Sequence, residues 1–318
     1  RNGHVRAWVG SSDFAVDQYD HVAQARRQPG STFKPFVYGA ALMEGFRVDD
    51  TFVDQPVTLR GKGGDVWSPR DVTPPTGRSM TLREGLVQSR NSITAQLMDR
   101  VGPAKVAKLA QAMGVRESRL DEVPSLALGT SPVTLREMVA AYSAIANKGE
   151  WLEPLLVLRV EDATGKVLEG FVPGKSQQAM PTNKALQLVN VMRGVVDEGT
   201  GTAIRSRYGI QADVAGKTGT TQDNTDAWFI LMHPQLVAGA WIGFNDPRTT
   251  MADAWGTGAR GALPIVGDFF QQSLRSRWIE GQAEFAIPRP RPKPPQREVD
   301  PVEAIIQEVF GRLVKILQ

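Results

Sequence analysis

Strand-like sequence at both ends of the chain encloses a helical middle, and that distribution limits the fold more than any single motif does. Residues 226–233 and 236–244 each read as a strand, joined at Pro234-Gln235 as a hairpin. A further strand runs from Val214 to Thr221, and near the start residues 5–9 alternate like one. Between them, helical spacing recurs over 82–86, 93–101, 106–113 and 135–146, broken by Gly102-Pro103, Gly114 and Gly129-Thr130-Ser131-Pro132. Thr134 stands three residues before Glu137, the spacing of a capping box. Residues 183–196 predict another strong helix and 269–279 a last one. Residues 47–75 read as short strands and turns, with Gly61-Lys62-Gly63-Gly64 as a hairpin tip, and Asp162-Ala163-Thr164-Gly165 is a second turn. The pattern predicts an α+β fold: one sheet built from distant segments, plus a helical lobe over roughly residues 77–149.

Beyond this body, Ile287-Pro288-Arg289-Pro290-Arg291-Pro292-Lys293-Pro294-Pro295 excludes helix and central strand, because proline removes donors and fixes φ. Residues 287–298 are therefore expected to be an extended spacer. Past it, Val302, Ile305, Ile306, Val309, Phe310, Leu313, Val314 and Leu317 recur at helical spacing, predicting an amphipathic helix over 299–318. A lone helix of that length is marginal in water. It fits docking on its own domain, 1–286, and packing on a partner or second chain equally well.

Composition narrows the chemistry. There is no cysteine, which removes disulfides, thiol nucleophiles and Cys-ligated metals. His4, His21 and His233 are scattered without metal-ligand spacing, so no metal or cofactor is expected. The 37 Lys and Arg against 34 Asp and Glu leave a net charge of only +3 and no dense basic block, which argues against a nucleic-acid binder. No run reaches the roughly 18 to 20 apolar residues of a membrane span, and no signal-peptide pattern opens the chain. The opening alternation reads as a strand already under way, so a piece of something longer is expected.

Three short motifs carry chemistry. Arg27-Gln28-Pro29-Gly30-Ser31-Thr32-Phe33-Lys34-Pro35-Phe36 sets a hydroxyl and an amine three residues apart, after a Pro-Gly breaker and at the start of an apolar helix ending near Glu44-Gly45. Positions i and i+3 share a helix face, so Lys34 is within reach of the Ser31 hydroxyl. Serine at a helix start also meets unpaired backbone N–H groups, which suits a nucleophile that must carry an acyl group. Alone, S-x-x-K also describes a capping serine and a solvated lysine; here no other serine is followed by lysine at that spacing. The second motif, Ser89-Arg90-Asn91, sits in helical text where serine and asparagine are disfavoured, so it is placed at a junction between helices. The third, Lys217-Thr218-Gly219-Thr220, is a glycine-flanked strand that a ligand backbone can approach closely.

In this order S-x-x-K, S-x-N and K-T-G resemble the transpeptidase domain of penicillin-binding proteins, most of all the bifunctional class A type. The resemblance runs from Val5 to about Leu274. It is supported by Pro124-Ser125-Leu126-Ala127-Leu128-Gly129, Ala141-Tyr142, Ala146-Asn147-Lys148-Gly149, Gly199-Thr200-Gly201 and Asp226-Ala227-Trp228-Phe229. It implies the serine D,D-peptidase and β-lactamase fold, an antiparallel sheet sandwiched by helices beside an all-helical subdomain. It also implies roles. Ser31 attacks a stem peptide ending in D-Ala-D-Ala, and Lys34 is its base, with a pKa lowered by Lys217 and by burial. Ser89 relays a proton to the leaving amine, and Asn91 holds the substrate amide. Lys217 supplies positive potential, Thr218 and Thr220 meet the terminal carboxylate, Gly219 lets the substrate approach, and the N–H groups of Ser31 and Thr220 form the oxyanion hole. β-Lactams would acylate the same serine. The implied setting is the extracytoplasmic face of a bacterial inner membrane, with a glycosyltransferase and an anchor upstream. Trp67 and Trp228 read as core residues before cleft linings.

The pattern departs from the family at Asn245-Asp246 and at Arg260-Gly261-Ala262-Leu263-Pro264, in place of acidic and Gly-Gly forms. A β-lactamase would need a base for water, yet no E-x-x-L-N lies between Asn91 and Lys217, and Arg90 replaces the aspartate of S-D-N. A D,D-carboxypeptidase or a non-catalytic β-lactam sensor remains compatible with the motifs. A phosphate-binding loop at Gly216-Lys217-Thr218 lacks its first glycine, since Gln211 stands there.

Overall fold

The computed structural model describes residues 2–61, 63–252 and 255–288. Pro29-Gly30 turns the chain into a 3-10 turn, Gly30–Phe33, that runs straight into α1 (Lys34–Met43). Pro35 is tolerated there because first-turn N–H groups have no intrahelical partner. All of α1 from Lys34 to Leu42 is buried, so it is a central helix and not a surface one. Next come β1 (Thr51–Val53), β2 (Leu59–Arg60), β3 (Val66–Trp67) and β4 (Ser79–Thr81), paired antiparallel as β1 with β4 and β2 with β3.

The helical stretch holds α2 (Leu82–Val87), α3 (Asn91–Val101), α4 (Pro103–Met113) and α5 (Leu135–Ala146). Thr134 and Glu137 form the expected capping box, and Thr81 with Glu84 forms another at the head of α2. A second set of short pairs follows, β5 (Glu150–Trp151), β6 (Arg159–Glu161), β7 (Val167–Gly170) and β8 (Gln177–Gln178), with β6 and β7 closing over the Asp162–Gly165 turn. Then α6 (Thr182–Asp197) and α7 (Ala203–Ser206) lead into β9 (Ala215–Thr220), β10 (Asp226–His233) and β11 (Leu236–Gly243), and α8 (Ala262–Arg275) closes the body.

The main sheet has the order β11-β10-β9, all antiparallel. Every residue of β10 is buried, because helices cover both faces. Trp228, Ile230 and Met232 pack with Phe36, Met138, Tyr142 and Leu188 of α1, α5 and α6. Phe229 and Leu231 turn to the other face, against Val266 and Phe270 of α8. This is the helix-covered antiparallel sheet expected of an α+β fold. Trp228 is a core residue, and Trp67 is partly buried against the same core.

Three expectations change. Residues 5–9 form no strand. Gly3 and Val5 bond Leu155 in an isolated parallel bridge, and the Trp8 indole donates to the Asp20 carboxylate, so side chains, not a ladder, fix this segment. The main sheet is accordingly drawn from 215–243 and not from both ends of the chain. The last helix begins at Ala262 instead of 269, because Pro264 falls in its first turn where proline is harmless, and it stops at Arg275. Apart from Ile287 and Pro288, the Pro-rich spacer and the 299–318 segment lie outside the described residues. Among the described residues no helix is long and apolar enough to cross a membrane.

Candidate active site

The Ser31 turn is seated against the edge of β9. Gly30 has φ +54, and a Cβ there would lie 2.5 Å from the Thr220 carbonyl oxygen. A Cβ on Gly219 would sit 2.6 Å from the Pro29 carbonyl. Side chains at either place would wedge the two segments apart, so glycine is what lets backbone meet backbone. The Lys34 amide closes that turn on the Ser31 carbonyl, so the two residues stand one turn apart. Ser31 stays half-buried while Lys34 is fully sealed.

Ser89 lies between α2 and α3, as its residue type predicts, with a left-handed backbone at φ +58. The amides of Ser89 and Arg90 donate to Leu86 and Gly85 carbonyls at 3.1 and 2.8 Å, which curls the chain and turns the serine inward. Lys34 Nζ donates to the Ser89 carbonyl at 2.5 Å and to Asn91 Oδ1 at 2.6 Å, and lies 3.2 Å from Ser89 Oγ. Lys217 Nζ donates to the same Ser89 Oγ at 2.9 Å and to the Thr218 carbonyl at 3.0 Å. The hydroxyl between the two amines is thus that of Ser89, while Ser31 lies one turn before Lys34, whose backbone amide donates to the Ser31 carbonyl.

Arg90 makes its hydrogen bonds to a neighbouring cluster, with its Nε 3.9 Å from Asp71. Its guanidinium grips the buried Asp54 carboxylate at 2.7 and 3.0 Å and donates to Thr73 Oγ1 at 2.6 Å. Asp54 also accepts from Ser92 Oγ and Thr76, and these bonds hold its carboxyl well below the usual range despite burial. An arginine in the middle of S-x-N is therefore a framework residue.

On β9 side chains alternate. Lys217 shares the face of its partner Ile230, toward α1 and α5, and Thr218 and Thr220 occupy the opposite face. The Thr221 N–H bond to the Asp226 carbonyl sets the phase of the ladder, so the backbone groups of Thr218 and Thr220 point away from β10, toward the Ser31 turn. Thr218 Oγ1 lies 2.6 Å from Thr200 Oγ1, and Thr220 Oγ1 accepts from the Gly258 amide at 3.0 Å. Gly199-Thr200-Gly201 stands out in the sequence as a phrase but gives Thr200 no partner there, and Gly258 carries no sequence signal at all. The departures at 260–264 do not leave this edge open, because Gly258 covers it.

The electrostatics follow from burial. Lys34 is pushed well below the ordinary lysine value, first by desolvation, then by the Lys217 charge, with Arg90 adding to the effect and Asp71 opposing it. Lys217 is lowered to about 7 by desolvation. An ammonium donates three hydrogen bonds; a neutral amine donates two and offers a lone pair. The two short contacts from Lys34 to Ser89 O and Asn91 Oδ1 use both donors, which leaves a lone pair for a hydroxyl proton. A lysine held toward its neutral form beside a hydroxyl is the arrangement of a general base.

A model of the penicillin-binding protein transpeptidase domain matches residues 1–237. Penicillin-binding protein 1A of Neisseria gonorrhoeae is 36% identical over 289 residues, covering 88% of this chain and 36% of the relative, so the chain spans about a third of that protein's length. The crystal structure of penicillin-binding protein 1A from Haemophilus influenzae matches with a TM-score of 0.77 at 24% identity, over 91% of this chain and 47% of that one. The D,D-transpeptidase domain of peptidoglycan glycosyltransferase from Eggerthella lenta matches with a TM-score of 0.65 at 27% identity, over 83% and 69%.

Proposed function

The chain belongs to the family of penicillin-binding protein transpeptidase domains, and on that premise we propose that it is a D,D-transpeptidase cross-linking peptidoglycan stem peptides through an acyl-enzyme on Ser31. The observation that carries this reading is the Ser89 hydroxyl held between two fully buried lysines, one of them a single turn after Ser31 on the same helix start.

The neutral Lys34 lone pair takes the Ser31 proton as Oγ attacks the carbonyl of the penultimate D-Ala. The negative charge gathers on the former carbonyl oxygen, between the N–H groups of Ser31 and Thr220, where one donor is worth about 2.7–4 kcal/mol. The proton on Lys34 passes through Ser89 Oγ to the leaving nitrogen, the C–N bond breaks, and the last D-Ala departs with an intact amine. An ester remains on Ser31. The amine of a second stem then attacks it, its proton travels back by the same groups, and Ser31 is released as a hydroxyl. Asn91 Nδ2 donates one hydrogen to the Arg70 carbonyl and keeps another for the substrate amide.

Lys217 and the hydroxyls of Thr218 and Thr220 meet the terminal carboxylate. An arriving anion favours charged Lys217, and charge-assisted bonds of this kind contribute about 1.5–3 kcal/mol each. Thr220 accepts from Gly258 and so keeps its own proton for the ligand, while Thr200 orients Thr218. Gly219 acts indirectly: its missing side chain makes room for Pro29 and the Ser31 turn, and not for the substrate. β-Lactams, cyclic mimics of the same amide, acylate Ser31 in the first step. The substrate places this chemistry on the extracytoplasmic face of the membrane. The similar Eggerthella lenta domain belongs to a peptidoglycan glycosyltransferase, which supports a full-length protein that carries a glycosyltransferase as well.

The test is intact mass after incubation with penicillin, followed by peptide mapping. A single adduct on Ser31 that persists for many minutes is expected. An adduct elsewhere, or none, refutes the acyl-enzyme. Incubation with a D-Ala-D-Ala donor stem and an amine acceptor then separates a transpeptidase, which yields a cross-linked product, from a hydrolase or a sensor.

A further inference from the structure

The loop between β3 and β4 reaches the Ser89 junction from outside all three motifs. The Asp71 side chain is 6% exposed, and its two oxygens accept from the amides of Asn91 at 2.6 Å and Ser92 at 3.0 Å. Beside it the Arg70 carbonyl accepts from Asn91 Nδ2 at 2.5 Å. The capping position of α3 is Arg90, which makes no side-chain cap. A carboxylate from twenty positions upstream therefore satisfies the donors that the helix start leaves open.

Ser89 is consequently held from both sides. The end of α2 fixes it through the Leu86 and Gly85 carbonyls, and Asp71 fixes Asn91 and Ser92 on its other side. A non-glycine residue at φ +58 persists only where its surroundings over-determine it. Arg90 cannot stand in for Asp71, because a guanidinium only donates; its Nε lies 3.9 Å from Asp71 Oδ1 while its hydrogen bonds go to Asp54 and Thr73.

Resting on the acyl-transfer reading above, we infer that Asp71 is a positioning residue for that reaction: it fixes the first turn of α3 so that the Ser89 hydroxyl and the Asn91 amide stay on the two lysines, and it supplies the anion that offsets the cations around Lys34. The groups facing Lys34 are Lys217 from β9, Arg90 from the junction and Asp71 from the loop. Burial and the two cations push Lys34 toward the neutral form, and Asp71 pulls the other way. Removing the Asp71 charge therefore lowers the pH at which Lys34 becomes a free base. Removing its oxygens loosens the junction.

The test compares wild type, Asp71→Asn and Asp71→Ala over residues 1–318, following the second-order rate of labelling by fluorescent penicillin between about pH 5 and 9, with a thermal melt for each. Asp71→Asn removes the charge and keeps one of the two acceptors, and it is expected to move the acid limb of the profile to lower pH with a smaller loss of plateau than Asp71→Ala. Asp71→Ala is expected to move it likewise and to lower the plateau by about tenfold, the equivalent of one charged hydrogen bond. A residue that merely supports the fold would lower the melting temperature and leave the acid limb in place, and an unmoved limb in both variants overturns the inference whatever the melts show. Wild type that takes no label refutes the acyl-transfer reading instead, so the two failures are told apart.

Discussion

Arg193 and Lys217 are both sealed in the interior, at 1% and 0% exposure, yet one faces a carboxylate and the other shares a hydroxyl with a second lysine. Arg193, on α6, donates to both oxygens of Asp213 at 2.8 and 2.6 Å and to the Ile287 carbonyl, while Asp213 also accepts from the Phe285 amide. That cluster ties the segment after α8 to the body. Lys34 and Lys217 bond only hydroxyl, amide and carbonyl oxygens among the described residues. Breaking a buried ion pair leaves a naked charge, whereas removing a desolvated amine with no carboxylate bonded to it leaves no opposite charge behind. The same degree of burial thus yields a clamp in one region and a poised base in the other.

The sharpest way to break this contrast is Lys34→Met. The labelling rate by penicillin should fall by roughly 10²–10⁴, the usual weight of a general base, while the melting temperature rises because a desolvated amine is gone. A variant that loses both activity and stability would place Lys34 with the clamps. The opposite experiment is Asp213→Asn. It removes the carboxylate that faces Arg193 and should cost about 3–5 kcal/mol in chemical denaturation, with the labelling rate per folded molecule unchanged.

Titration sharpens the comparison further. A lysine lowered from 10.5 to about 7 binds fewer protons folded than unfolded between those values. Its cost to stability is therefore complete below about pH 7 and fades as pH rises toward 10. Denaturant melts between pH 7 and 10 should show stability gained from this site as pH increases, and Lys217→Met should flatten that slope. Above 10 the sign turns, because Tyr38 and Tyr142, raised by burial, must then ionise to unfold. The smallest effect is expected of Thr200→Val, which deprives the Thr218 hydroxyl of its partner at 2.6 Å. Losing one neutral hydrogen bond, about 0.5–1.5 kcal/mol, should slow penicillin labelling by a few-fold up to about tenfold and leave the melt in place.

What could be seen in the sequence was local. Ser31 and Lys34 are three residues apart, Ser89 and Asn91 two, and the glycines beside Lys217 mark an open strand before any contact is known. The β10–β11 hairpin was legible for the same reason. What could not be seen was supplied across distance. Asp71 caps a helix twenty positions on, Asp54 holds Arg90 from thirty-six away, and Gly258 meets Thr220 across thirty-eight. None of these residues carries a pattern of its own, because aspartate and glycine in loops are common for many reasons. The alternation over 5–9 misled for a related reason: period two marks a strand only where an edge is there to pair with it, and the Trp8–Asp20 contact fixes the segment instead.

The claim on which the rest turns is that Lys34 is a neutral amine at working pH. It is tested most directly by NMR of protein carrying ¹³C-labelled lysine, following the Lys34 ε-carbon with pH and assigning it by its loss in Lys34→Met. The account predicts a transition well below the ordinary lysine range, displaced further down in Asp71→Asn. A Lys34 signal that titrates with the surface lysines near 10.4 would contradict it.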